Sequence, residues 1–383
     1  MVCVLRSSLF STVGCGLLAV VVAAGAMTLT LRSADWNLTA LVRVDSATRL
    51  GADARVVEPG FRTVHPGAYD GQFYWGIAVD PFAHGQVGKA LDKPSYRYGH
   101  PLYGWLSWLW SAGQARAAAV ALAALGLFCL FAAAATASWL GRRHGRSGWE
   151  GLFVALNPGL VSAAAHDLAE PLGAALLLGA YAAYLDRRRR LAWVFFALLP
   201  LAKEPLLLVV AAVVVWELCQ RHLVGAAVFA TAAVPALAWW LYARVHFGGW
   251  FTSGGTALAE PFSGWAQTLF GSTARRGLAP DLAVAVLAAL ILLFAIAGVS
   301  ALIRRGPVEL SYLSLAAVAI CLAPNATAAF STALRNTAFL LVLVPFVLAT
   351  RPFRPSPAYR ARGAPTSRLQ GTPPDRVSST PPD

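Results

Sequence analysis

The residues best suited to chemistry gather in one stretch, Tyr69-Asp70-Gly71-Gln72-Phe73-Tyr74-Trp75. Aromatic faces stack on the C–H surfaces of a sugar, while carboxylate, amide and guanidinium groups hydrogen-bond its hydroxyls. The same mixture recurs at Tyr96-Arg97-Tyr98-Gly99-His100, with Asp80 between the two stretches. Both lie in residues 32–114, which carry seven of the eighteen acidic residues. The aromatic residues alone fit an interfacial belt; the acids among them favour a site. After the Asp-Gly turn, residues 73–79 are expected to form a short interfacial helix with Tyr and Trp at headgroup depth.

Three more polar spots adjoin apolar runs: His166, Asp167 and Glu170; Lys203 and Glu204; and Arg335. Ionisable residues in such places are costly and count as functional candidates. Structural roles compete. Asp167 is placed to cap a helix N-terminus. Lys203 and Glu204 can neutralise each other at a turn. His166 reads as a solvated loop residue.

The elements that must hold these residues are apolar. Of 383 residues, 57% are hydrophobic and 13% charged, against about 25% charged in a soluble domain. Apolar blocks run over roughly 9–31, 115–140, 149–165, 168–185, 191–202, 205–218, 223–243, 280–303, 308–323 and 334–350. Inside lipid a helix satisfies its own backbone. These Ala/Leu/Val runs lack the alternation of a membrane barrel. The expected fold class is an all-α polytopic membrane protein with about ten transmembrane or half-membrane helices and a large first outer loop. The membrane-embedded domain would cover 1–350. Residues 351–383, rich in Pro, Arg, Ser and Thr, are expected to form a disordered cytoplasmic tail.

Arg6 before the first block marks an uncleaved signal-anchor. Arg142, Arg143, Arg146 and the run Arg187 to Arg190 belong on the cytoplasmic side. Pro205 favours a turn between two short helices at Lys203–Glu204. Both termini then fall in the cytoplasm and loop 32–114 outside, in a cytoplasmic membrane of bacterial type. The net charge of +13 is accounted for by these orienting runs, which speaks against a nucleic-acid partner. The five cysteines show no metal-ligand or redox spacing and read as small packing residues.

The run Tyr69-Asp70-Gly71-Gln72-Phe73-Tyr74, continuing to Ala78-Val79-Asp80-Pro81-Phe82, resembles the first outer loop of bacterial membrane proteins of cell-surface glycopolymer formation. Those proteins resemble the GT-C glycosyltransferase superfamily, which includes the dolichyl- and polyprenyl-phosphate mannosyltransferases. Asp167-Leu168-Ala169-Glu170-Pro171 and Leu201-Ala202-Lys203-Glu204 match the later pattern. The resemblance in architecture covers about residues 1–350. It implies a transferase working on the extracytoplasmic face, with a lipid-linked sugar donor and a glycan or glycolipid acceptor in contact with membrane lipids. By position, Asp70 would be the catalytic base. Where the superfamily often has a second adjacent acid, this chain has Gly71.

On that reading Asp70 takes the acceptor proton, and Arg97, Lys203 or Arg335 meets the departing phosphate. Tyr69, Tyr74 and Tyr98 would bind sugar, and Gln72 and His100 would position hydroxyls. Asp80, Asp167, Glu170 and Glu204 complete the substrate-binding set. Asp70, Asp80, Asp167 and Glu170 carry oxygens that could ligate a cation, but no spacing motif assigns a metal and the cofactor stays open. The competing readings are a transporter or flippase of a lipid-linked saccharide, for which the sequence shows no internal symmetry, and a non-catalytic assembly protein.

Overall fold

The computed structural model describes residues 2–250, 252, 258–270, 280–327 and 330–349. The 351–383 tail lies outside the described residues. Long helices carry the architecture: α1 (Val2–Arg32), α2 (Gly71–Val79), α3 (Leu102–Ser111), α4 (Ala115–Arg143), α5 (Glu170–Leu185), α6 (Arg189–Ala202) and α7 (Leu207–Cys219). They continue as α8 (Leu223–Phe247), α9 (Pro280–Arg304), α10 (Pro307–Ile320), α11 (Phe330–Asn336) and α12 (Ala338–Val347).

Four helical stretches are long and apolar enough to cross a membrane: Ser11–Arg32, Ala115–Arg143, Leu223–Phe247 and Leu282–Arg304. The pair α11 and α12, bent by 53°, makes a fifth if it counts as one span. The chain is therefore an all-α membrane protein, with four or five candidate full spans among the described residues; the expected total of about ten transmembrane or half-membrane helices is not established by these. Every apolar block is helical, but several are too short. The 16 residues of α5 rise about 24 Å, against a hydrocarbon core of about 30 Å. The 149–165 block breaks in two at Asn157–Pro158, where the Asn157 side chain accepts from Gly159 N and Leu160 N and caps Pro158–Ala164.

Helix α4 is the central post, with α1, α3 and α5 packed on it. Its Ala-rich faces allow close approach: Ala118, Leu122, Ala133, Ala134 and Ala137 are wholly buried. Helix α5 runs from Glu170 to Leu185, and α6 returns from Arg189 to Ala202 beside it. The ion pair Lys203 Nζ–Glu170 Oε1, at 3.0 Å, closes the open end of this pair. At the other end Asp186 Oδ1 meets Arg143 Nε at 3.3 Å. The chain breaks at Lys203, an extended residue, and passes through a tight turn at Glu204–Leu206. Helix α7 then leads away from the site end, and its Glu217 accepts from Tyr184 near the far end of α5.

The molecule thus has two poles. One holds Asp70, Glu170, Lys203 and Arg335. The other holds the arginine runs. There Arg146 Nε pairs with Glu150 Oε1 at 2.7 Å, Arg146 Nη2 donates to Pro345 O at 2.9 Å, and Ser300 Oγ donates to Val347 O at 2.9 Å.

The 32–114 segment folds onto the site pole as short helices, with a two-residue parallel strand pair, Val44–Asp45 against Thr63–Val64. Residues 71–79 are helical, and two of their aromatic residues are packed inside the protein. Tyr74 and Trp75 are buried, and Trp75 Nε1 donates to Ala115 O at 2.9 Å. Buried indole and phenol groups need partners. Trp240 Nε1 finds Gly99 O at 2.7 Å, and Trp239 Nε1 finds Tyr98 O, tying α8 to the loop.

Candidate functional site

Asp70 stands at the N-terminus of α2 without capping it by a side-chain bond. Its carboxylate turns instead to two arginines. Oδ2 accepts from Arg335 Nη2 at 2.7 Å, and Oδ1 lies 3.6 Å from Arg97 Nη1. Arg335 Nε is 3.0 Å from Glu170 Oε1, the oxygen that Lys203 also meets. The order Arg97–Asp70–Arg335–Glu170–Lys203 alternates in sign across four parts of the chain.

Exposure grades along this chain of charges. The Glu170 side chain is 3% exposed, Arg335 10% and Asp70 38%. Of these two carboxylates Asp70 is the open one; Glu170 pairs with Arg335 and Lys203 deeper in. Burial works against ionisation of Asp70, but Arg335, Lys203 and Arg97 outweigh it and hold its pKa below the ordinary carboxylate value. Asp70 therefore stays charged at neutral and mildly acid pH.

Arg97 is itself clamped. Its Nε pairs with Asp92 Oδ1 at 3.0 Å, and its guanidinium lies 3.3 Å from the centroid of the Phe73 ring. His100 Nδ1 meets Glu204 Oε1 at 2.7 Å, and the rings of Tyr74 and Tyr96 each stand 5.7 Å from the imidazole. Tyr69 lies against His166, 5.1 Å between centroids, and under Arg335. The hydroxyls of Tyr69 and Tyr74 and Glu170 Oε2 are buried with no hydrogen-bond partner. They are three unspent polar groups around one ion cluster.

Gly71 is required by close approach. A Cβ there would stand 2.4 Å from His166 O and 2.9 Å from Val42 O. No side chain fits at position 71 unless the backbone on one side shifts.

The structure brings together Tyr69, Asp70, Tyr74, Arg97, His100, Glu170, Lys203, Glu204 and Arg335. It does not bring Gln72, Asp80, Tyr98 or Asp167 into the ion cluster. Gln72 Oε1 accepts from Asp45 N at 3.3 Å. Asp80 organises its own loop, accepting from His84 N, Gly85 N and Gly88 N at 3.0, 2.7 and 3.1 Å. Tyr98 donates to Asp80 O at 2.6 Å and stacks on Phe247. Asp167 does not cap α5, whose N-cap is Ala169. It is fully buried at φ 53°, and neither carboxyl oxygen has a hydrogen-bond partner. Burial pushes its pKa well above the carboxylate range.

Lys203 and Glu204 do not pair with each other; Lys203 takes Glu170 and Glu204 takes His100. Asp92 and Phe73, which fix Arg97, were not singled out by sequence reasoning. The only signal was the short Asp92-to-Arg97 spacing around Pro94. Among the described residues no group of three or more His, Cys, Asp or Glu side chains is arranged to hold a metal ion. Asp70 and Glu170 are committed to arginine and lysine, and Asp80 to backbone N–H groups.

Compared with protein-family models, curated proteins and solved structures, the chain matches none of them.

Proposed function

We propose that this chain is a membrane glycosyltransferase of the GT-C kind, working in a bacterial-type cytoplasmic membrane. It moves a sugar from a polyprenyl-phosphate donor to a cell-surface glycan or glycolipid acceptor. The shorter helices complete its membrane domain, and the 32–114 segment carries the site on the extracytoplasmic face. The observation that carries this reading is the half-exposed Asp70 carboxylate, held by Arg335 and Arg97 with Glu170 and Lys203 behind it. Residues that the family resemblance names in separate parts of the chain meet there.

Chemically, the acceptor hydroxyl attacks the anomeric carbon of the donor. Its proton passes to Asp70, and the C–O bond to phosphate breaks. The lipid phosphate leaves with the electron pair, and the anomeric configuration inverts. Asp70 is ionised beforehand, as a proton acceptor must be. Arg97, its face on Phe73 and its nitrogens shared between Asp92 and Asp70, would meet the phosphate oxygens. Lys203 adds positive charge behind it. His100, held by Glu204, would position a substrate hydroxyl with its other ring nitrogen.

The test uses membranes containing the full chain, a radiolabelled polyprenyl-phosphate sugar and the native membrane acceptors. Asp70→Asn should lower transfer by about 100- to 10,000-fold while the protein remains in the membrane at its normal level. Transfer at the unsubstituted rate, or a normal surface glycan in a strain carrying only Asp70→Asn, sinks the proposal.

A further inference from the structure

The arginine pole has a feature that the proposed transfer does not use. A groove of about 330 Å³ opens between α1, α4, α5 and α6. Its floor is made of small residues, among them Ala135, Gly179 and Ala182, and its walls are Trp139 and Phe195. Arg188 lines its mouth, beside the Asp186–Arg143 ion pair. About 24 Å of α5 separates this mouth from Glu170, so the groove and the Asp70 cluster are distinct places.

The mouth is unbalanced in charge. Asp186 is the one carboxylate lining it, and it is already paired with Arg143. Arg188, Arg189 and Arg190 follow, all exposed. A lipid phosphate is the anion best matched to guanidinium groups that sit above an apolar slot. The volume lies at the lower end of ligand pockets, about 300–1,000 Å³, which suits one hydrocarbon chain and not a whole folded lipid. Floor residues without bulk let such a chain lie against the helix backbones, and Trp139 and Phe195 supply flat apolar sides.

We propose that this groove seats an acyl chain of an anionic phospholipid, with the headgroup phosphate held by Arg188. The bound lipid covers the seam between α4 and the α5–α6 pair. It acts as a structural ligand, separate from donor and acceptor.

The full chain, purified in detergent, is titrated with dioleoyl phosphatidylglycerol, dioleoyl phosphatidylcholine or inorganic phosphate. Bound lipid is read by native mass spectrometry, and the unfolding temperature is the second readout. Phosphatidylglycerol should bind about tenfold more tightly than phosphatidylcholine and raise the unfolding temperature; inorganic phosphate should do neither. Arg188→Glu should abolish the preference. Ala182→Trp, which fills the floor, should weaken both lipids. Arg305→Glu, an exposed arginine of the same pole outside the groove, should change nothing. If Ala182→Trp fails to fold, Arg188→Glu decides alone. Equal binding of the two lipids overturns the proposal, as does a preference that survives Arg188→Glu. So does a temperature rise reproduced by phosphate alone, or a dimer of the chain that excludes both lipids.

Discussion

Arg335 and Asp70 are 265 residues apart in the chain and 2.7 Å apart in space. The bond joins the first loop to the short helix before the last apolar segment. Because Arg335 also reaches Glu170, one guanidinium ties α2, α5 and α11 together.

The first prediction concerns pH. Asp70 is more acidic folded than unfolded, so its contribution to stability is present above the unfolded value and is lost as pH falls through the folded one. On the proposed reaction the same titration removes the base. Transfer should not depend on Asp70 ionisation at neutral and mildly acid pH, and should fall only at pH below the ordinary carboxylate value. Arg335→Gln should move that acid limb to higher pH. A pH profile of transfer in membranes checks both; an unmoved limb in the variant refutes the link.

The second concerns the buried cation. Arg335→Ala leaves Glu170, 3% exposed, with only Lys203 to neutralise it. The cost should be about 3 kcal/mol, the low end for a broken buried pair because one partner remains. Adding Lys203→Met should make the loss larger than the sum of the single effects. Denaturant titration in detergent micelles measures both.

The third concerns Gly71. Alanine there meets the His166 carbonyl at 2.4 Å, so backbone must shift on one side. Gly71→Ala should cost about 1–3 kcal/mol and should also slow transfer, since the shift moves Asp70. An alanine variant with normal stability and rate would mean that the packing of α2 on His166 is looser than described.

The fourth concerns Asp167. A carboxyl with a raised folded pKa stabilises the fold below the unfolded value and loses that contribution as pH rises through the folded one. Asn removes the titration and tolerates the positive φ. Asp167→Asn should therefore match the parent near pH 4 and become increasingly more stable than it toward pH 7. Unfolding temperatures at the two pH values decide this; an advantage that is constant with pH removes the explanation.

Much of the site was legible because ionisable residues beside apolar runs are rare and costly. Glu170, Lys203 and Arg335 stood out on that ground, and Asp70 as an acid among aromatic residues of the first loop; all four meet. The pairing was not legible. Lys203 and Glu204 are neighbours in sequence, but Lys203 is extended, and side chains around an extended residue diverge. Asp80 and Tyr98 looked like site residues because acids among aromatic rings suit a sugar. The backbone N–H groups of that loop claimed the carboxylate first. The helical class was plain from composition, whereas span number was not. Burial inside the protein and burial in lipid select the same apolar residues, so α5 and α10 read as spans though each is short.

The Asp70–Arg335 bond also sets a timetable for biogenesis. At about 5–20 residues per second, a ribosome needs on the order of 10–50 s to travel from one of these codons to the other. Throughout that interval the first loop carries an acid that has Arg97 to pair with but not yet Arg335. A message cut short before codon 335 would release a chain with most of its helices in place and an incomplete centre.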